Sequence, residues 1–200
     1  LLALFLAASR KSKSPAELNA LGQELLKMPA KVSEVLASLE PMRALAKALA
    51  DEPAILFLGR HVGFPVAMEG ALKLKELAYI HAEGFAAGEL KHGPIALIEP
   101  GQPVVVVVPS PRSADTLHPK VVSNVQEIRA RGARVIAIAE QGDDEVKQYA
   151  SEVFYIPQHD PMLAPLLSVI PLQVLAMELA SAKGLDVDQP RNLAKSVTVE

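Results

Sequence analysis

The chain has 200 residues, of which 50% are apolar, and a formal net charge of -3 at pH 7. This length and composition suit one ordinary hydrophobic core with a partial accessory element. Acidic and basic residues are mixed along the chain, so we predict no charged surface that would recruit nucleic acid or an anionic membrane. Cysteine is absent, which excludes disulfides, thiolate metal sites and a cysteine nucleophile within this chain and is compatible with a reducing cytoplasm.

The first nine residues are nearly all apolar and are followed by Arg10 and Lys11. A secretion signal places its basic residues before the apolar run, and the chain has no initiator Met, so this stretch predicts a helix that is cut in the middle. No stretch approaches the ~20 consecutive apolar residues that would span a bilayer. We therefore expect a soluble, cytoplasmic chain without a membrane-spanning segment.

A helical region is predicted to begin at Ser14, which offers a capping hydroxyl. Pro15 suits the first helical position, an acid follows in the first turn, and leucines then recur at helical spacing. The region from 14 to about 51 is therefore predicted to be helical, with breaks at Pro29 and Pro41.

Apolar runs that are four to six residues long predict strands buried on both faces. They lie at 54–59, 104–108, 135–139 and, more weakly, 153–156. Helical patterns lie between and after them, at about 65–80, 117–130, 144–150 and 162–183. This alternation predicts parallel pairing through right-handed crossovers, and hence a three-layer α/β/α domain. Ligands of such sheets bind outside the carboxyl ends of the strands, which points to the segments that begin at Gly59, Pro109 and Glu140.

The helix predicted at 65–80 carries Glu69, Lys73 and Glu76 at positions i, i+4 and i+7 of one face. A carboxylate beside a lysine at the edge of a pocket can act as a general base on a carbon next to a carbonyl. The same spacing is also that of a solvated face with an i,i+4 ion pair. Spacing alone favours this second interpretation.

The stretch from His81 to Pro94 is predicted to be a loop that interleaves glycines with two histidines and two acids. His81 and His92 form no His-x-x-x-His pair and have no cysteine partner, so no metal site is predicted. His92, which lies between Lys91 and Gly93, is either an exposed loop histidine or an acid/base group.

Residues 110–116 bring hydroxyls and Arg112 to the start of a helix, where free backbone N–H groups can hold phosphate. Helix capping explains the same residues, and a glycine-rich phosphate loop is absent. We therefore predict no phosphate site there.

The tail after Gly184 contains Lys195, and a frayed terminus is the usual interpretation of such a position. The apolar side chains of Leu193, Val197 and Val199 could pack the tail back onto the domain. A pocket that desolvates Lys195 would favour the neutral amine, which imine chemistry requires.

Strings of residues identify a family more specifically than these spacings do. The strings at 69–76 (EGALKLKE), 79–83 (YIHAE), 88–94 (GELKHGP) and 188–200 (DQPRNLAKSVTVE) closely resemble the glucosamine-6-phosphate synthases, also called glutamine:fructose-6-phosphate aminotransferases. The resemblance covers essentially the whole chain, and the tail is its most specific element.

The family builds its isomerase half from two sugar-isomerase (SIS) domains. The resemblance implies that residues 1–51 are the end of a truncated first SIS domain and a helical connection. Residues 52–184 would be the second SIS domain, with a parallel flavodoxin-like sheet, and residues 185–200 a C-terminal active-site tail.

The resemblance also implies roles for individual residues. Lys195 would form the imine at C2 of open-chain fructose-6-phosphate, and Glu76 would move a proton between C1 and C2. His92 would assist ring opening in the neighbouring subunit of a homodimer. Lys73 and the backbone of Ala194 would support the sugar.

The implied function is the isomerase part of an enzyme that makes glucosamine-6-phosphate from fructose-6-phosphate and glutamine, without a metal or other cofactor. The family's glutaminase domain and its serine- and threonine-rich phosphate loop have no counterpart here, so we expect the chain alone to be incomplete. A glucosamine-6-phosphate deaminase-like enzyme and a non-catalytic SIS domain that senses a sugar phosphate are the alternatives. The presence of Glu76, His92 and Lys195 argues against the sensing domain.

Overall fold

A computed structural model describes residues 1–113 and 115–193 of the chain. The predicted contact of Ala194 and the predicted nucleophile Lys195 lie outside the described residues. In chain order the helices and strands are α1 (Leu2–Ser9), α2 (Pro15–Ala37), α3 (Glu40–Leu49), β1 (Ala54–Gly59), α4 (Gly63–Ala78), β2 (His81–Ala86), β3 (Pro103–Val107), α5 (Leu117–Arg129), β4 (Arg134–Glu140), α6 (Asp144–Lys147), β5 (Glu152–Ile156) and α7 (Ala164–Ala182). Short 3₁₀ helices lie at Ala87–His92, Pro94–Leu97 and Pro161–Leu163.

Within the described residues, five parallel strands form one sheet in the order β2-β1-β3-β4-β5. This is the strand order of flavodoxin-like sheets, in which the chain reverses direction across the sheet between β1 and β3. The predicted parallel α/β/α fold is confirmed.

Alternate strand residues point into two separate cores. The α4-side core lies between the sheet and helices α2, α3, α4 and α7, and receives Phe57, Val105 and Ile138. The α5-side core lies beneath α5 and α6, and receives Leu58 and Val106. Because both faces of the central strands are covered, these strands are continuously apolar in sequence.

The prediction of a loop from residue 81 is wrong at its start, because His81–Ala86 form β2. This strand pairs with β1 in parallel, and His81 is level with Ala54 at the amino end of the sheet. β2 is an edge strand in which His81 and Glu83 are exposed while Ala82 is buried. It therefore lacks the continuous apolar run that marks the other strands.

The two prolines predicted to break the first helical region behave differently. Helix α2 runs through Pro29 without ending, so that predicted break is wrong. Met28 and Val35, on either side of Pro29, are both buried in the α4-side core, which favours a continuous helix. The break near Pro41 is confirmed, since α3 begins at Glu40 and Pro41 occupies its first turn, where a missing N–H costs no helical hydrogen bond.

The stretch Pro161–Ala182, which includes α7, is long and apolar enough to cross a membrane by length and composition. This differs from the expectation that no segment has the required length. In the fold α7 packs against α2, α3 and α4, and Leu167, Leu172 and Leu179 are buried in the α4-side core. Packing within the domain therefore accounts for the apolar residues on the buried side of α7.

Candidate active site

Helix α4 brings Glu69, Lys73 and Glu76 together on a partly exposed face. The Nζ atom of Lys73 lies 2.6 Å from Oε2 of Glu76 and 3.7 Å from Oε1 of Glu69. The hydrogen bond to Glu76 raises the pKa of Lys73, against the opposing effect of burial. Lys73 is therefore held as an ammonium, which cannot attack a carbonyl. It supplies a positive charge beside Glu76 and is unsuited to imine formation.

Glu76 lines an open cavity of about 440 Å³ beside the amino end of β2. We call it the Glu76 cavity. One wall is the end of α4 and the turn that follows it, and the other is the start of the tail. Its lining residues are Lys75, Glu76, Tyr79, Ile80, His81, Arg191, Asn192 and Leu193. The tail therefore folds back onto α4 as far as Leu193, the last described residue.

One contact attaches the tail to the end of α4, and sequence reasoning missed it. The backbone N–H of Arg191 donates a hydrogen bond to the hydroxyl oxygen of Tyr79 at 2.7 Å. The guanidinium of Arg191 also lies 4.0 Å from the centre of the Tyr79 ring, in cation–π geometry. The two residues are 112 positions apart, and no local pattern in the sequence signals a contact over that separation.

His92 lies apart from the Glu76 cavity of its own chain. It ends the 3₁₀ helix that follows β2, and its Nδ1 atom is 2.7 Å from Oε2 of Glu89, with 72% of its side chain exposed. Glu76 lies near the opposite, amino end of β2. The length of that strand alone puts roughly 17 Å between its two ends. A single chain therefore does not bring His92 to Glu76.

A second cavity of about 370 Å³ lies where β1 and β3 end, at the point where the strand order reverses. Arg112, in the loop after β3, donates to both carboxylate oxygens of the buried Glu140, at 2.6 and 3.0 Å, and to the carbonyl of His159 at 3.2 Å. The hydrogen bond with Glu140 raises the pKa of Arg112. The hydrogen bonds of the guanidinium are thus made to Glu140 and to the backbone of His159, and they hold the loop after β3 in place.

A model of the SIS domain family matches residues 48–183. The chain belongs to the SIS domain family. The predicted division of the chain at 51/52 and 184/185 stays a prediction.

This SIS domain chain is 68% identical over 200 residues to a glutamine–fructose-6-phosphate aminotransferase (isomerizing) of Leifsonia xyli, covering 100% of the chain and 32% of that protein. It is 63% identical over 201 residues to the protein of the same name from Corynebacterium diphtheriae, again covering 100% of the chain and 32% of that protein. The chain thus spans about a third of the length of the curated relatives it matches.

Among solved structures, this SIS domain chain is similar to the C-terminal domain of glucosamine-fructose-6-phosphate aminotransferase from Francisella tularensis. The TM-score is 0.86 at 37% identity, and the match covers 94% of this chain and 52% of that one. The family resemblance drawn from the residue strings is confirmed by these relatives.

Proposed function

We propose that the chain is the isomerase part of a longer cytoplasmic enzyme that converts fructose-6-phosphate and glutamine to glucosamine-6-phosphate and glutamate. The observation that carries the proposal is the Glu76 cavity, where a carboxylate faces the tail just before Lys195. One residue separates Lys195 from Leu193, so two Cα–Cα steps of about 3.8 Å limit how far Lys195 can lie from that wall.

The proposed chemistry begins when the amine of Lys195 attacks C2 of the open-chain ketose and water leaves, forming an imine. Ammonia derived from glutamine then displaces the lysine amine from C2, which leaves the imine of ammonia there. This imine draws electrons from C1, so a carboxylate suffices as the base that removes a proton from C1. Glu76 returns that proton to C2, while the C1 hydroxyl loses its proton as the aldehyde forms and the nitrogen gains one. The product is the 2-amino aldose, and the lysine is released unchanged.

Lys73 and Ala194 have supporting roles in this proposal. Because its pKa is raised, Lys73 remains an ammonium beside Glu76 and provides charge that suits an anionic phosphosugar. The backbone of Ala194 would contact the sugar next to the imine.

We also propose that the enzyme is a homodimer in which His92 serves the site of the neighbouring subunit. Two observations support this: His92 is exposed, and the length of β2 separates it from the Glu76 cavity of its own chain. The identity to aminotransferases supports amination over the deaminase-like and sugar-sensing alternatives.

The decisive experiment uses the full-length enzyme with Lys195→Arg or Glu76→Gln, and Glu99→Gln as the control at an exposed position outside the helices and strands. Formation of glucosamine-6-phosphate should be abolished by Lys195→Arg and reduced by about 10²-fold or more by Glu76→Gln, because the latter removes the base. Glu99→Gln should have wild-type activity.

Borohydride trapping separates the two roles. Reduction in the presence of fructose-6-phosphate should attach the sugar to wild type and to Glu76→Gln, but not to Lys195→Arg, as read by peptide mass spectrometry. Trapping that persists in Lys195→Arg, or wild-type turnover by Glu76→Gln, would contradict the assigned roles.

A further inference from the structure

Tyr79 has a backbone conformation that its side chain disfavours. It directly follows α4 with φ 55° and ψ 31°, in the left-handed region. Glycine is the usual residue at this position after a helix, and a bulky residue there is an outlier. An outlier of this kind persists only when the surrounding contacts compensate for it.

Among the described residues, the side-chain hydrogen bond and the cation–π contact of Tyr79 are both with the tail. The hydroxyl accepts the N–H of Arg191 at 2.7 Å, and the ring lies beneath the guanidinium at 4.0 Å. Among the described residues, this is the only hydrogen bond that ties residues 188–193 to the rest of the domain; the amides of Asp188 and Gln189 bond only to the nearby Asp186. Tyr79 thus anchors the tail where it enters the Glu76 cavity.

We propose that Tyr79 is a positioning residue: its ring and hydroxyl hold the tail at Arg191, where Asn192 and Leu193 line the Glu76 cavity. The inference rests on the proposed function, which assigns the chemistry to Lys195, two residues after Leu193. Tyr79 lies three positions after Glu76, at the end of the same helix. One element therefore fixes the base and the entry point of the tail relative to each other.

The anchor is tested first without substrate, by hydrogen–deuterium exchange of the tail in the full-length enzyme. Tyr79→Gly removes the ring and hydroxyl but places the favoured residue at a positive φ, so folding should be unimpaired. Tyr79→Phe removes only the hydroxyl. The control is Tyr149→Phe, a half-buried tyrosine that packs in the α5-side core.

The Arg191 amide should exchange about fivefold faster in Tyr79→Phe, the effect of one hydrogen bond. Exchange should be faster still in Tyr79→Gly, which also loses the stacked ring, and unchanged in Tyr149→Phe. Wild-type exchange of the tail in Tyr79→Gly would overturn the anchor.

The positioning role is tested by kinetics. With an unfolding midpoint at or above that of wild type, Tyr79→Gly should lower kcat and the rate of borohydride trapping about tenfold or more while KM changes little. Tyr79→Phe should recover part of kcat. A wild-type kcat in Tyr79→Gly despite a freely exchanging tail would overturn the positioning role.

Failure of the proposed function has a different signature, because it would leave amination intact in Lys195→Arg. The exchange experiment contains no substrate and reads the anchor independently of that result. Loss of amination in Lys195→Arg, together with wild-type exchange in Tyr79→Gly, would overturn only the anchor.

Discussion

The ring of His118 lies buried between two carboxylates at the start of α5. Its Nε2 atom is 2.8 Å from Oδ2 of Asp143, and its Nδ1 atom is 3.7 Å from Oε2 of Glu145. The hydrogen bond to Asp143 raises the pKa of His118, and the charges of Asp143 and Glu145 add to this against the effect of burial. Asp143 also accepts the N–H of Val146 at 3.2 Å, so it joins α5 to the start of α6.

A raised pKa of His118 makes stability depend on pH in a defined direction. The folded state binds the proton more tightly, so this contribution is fully present below the unfolded value near 6.5 and is lost as pH rises through the folded pKa. Wild type and His118→Gln should therefore differ less in their free energy of unfolding as pH rises from 6 to 9. The decrease should be about 1 kcal/mol, which is the difference between a charged and a neutral hydrogen bond. Urea unfolding between pH 6 and pH 9 measures it.

The exposed His81 provides a matched control for this measurement. Its replacement by glutamine should leave the pH dependence of wild type in place. A difference between wild type and His118→Gln that is constant or grows with pH would show that the charge of His118 contributes nothing to stability.

The sequence predicted some contacts around the Glu76 cavity and not others, for reasons visible in the geometry. Helical spacing placed Lys73 and Glu76 on one face, because contacts within a helix follow from sequence separation alone. The contact between Tyr79 and Arg191 depends on where the whole domain places the tail. No rule based on local sequence spacing predicts that contact.

At the scale of the elements, burial decided which strands the sequence revealed. The strands β1, β3 and β4 are covered on both faces, and their apolar runs marked them. The edge strand β2 has one buried side chain between two exposed charged or polar ones. That alternation is a strand signal, but glycines and titratable residues made the stretch look like a loop.

The packing of α4 on the sheet and on α7 depends on Gly70. A Cβ atom added there would lie 2.8 Å from Cδ1 of Leu172 and 2.9 Å from Cε1 of Phe57, both fully buried. Gly70→Ala should gain up to about 1 kcal/mol in helix propensity but lose more to overpacking, which typically costs about 1–3 kcal/mol. We expect a net loss in the free energy of unfolding, measured by urea denaturation.

Gly22 in α2 is the matched control, because a Cβ atom there would meet nothing within 4 Å. Gly22→Ala should therefore stabilise the domain by up to about 1 kcal/mol. If both alanines stabilise to the same extent, the close approach at Gly70 does not constrain the packing of α4.

At the scale of the whole molecule, the sheet separates groups that the proposed reaction needs together. Glu76 and the tail meet beside the amino end of β2, whereas His92 follows its carboxyl end. The extended strand β2 keeps Glu76 and His92 of one chain apart. A second subunit can supply His92 if its β2 region approaches the Glu76 cavity of the first.

The proposed sharing of sites between two subunits predicts how mixed dimers of the full-length enzyme behave. Chains with Glu76→Gln and chains with His92→Asn should each be inactive alone. In a mixed dimer one site carries both changes and the other carries neither, so co-expression should restore about a quarter of wild-type activity per chain if subunits pair at random. A site built within one chain would always keep a defect, and the mixture would be as inactive as its components. As a control, a homodimer of chains that carry both Glu76→Gln and His92→Asn should have no activity, because no intact site can form in it.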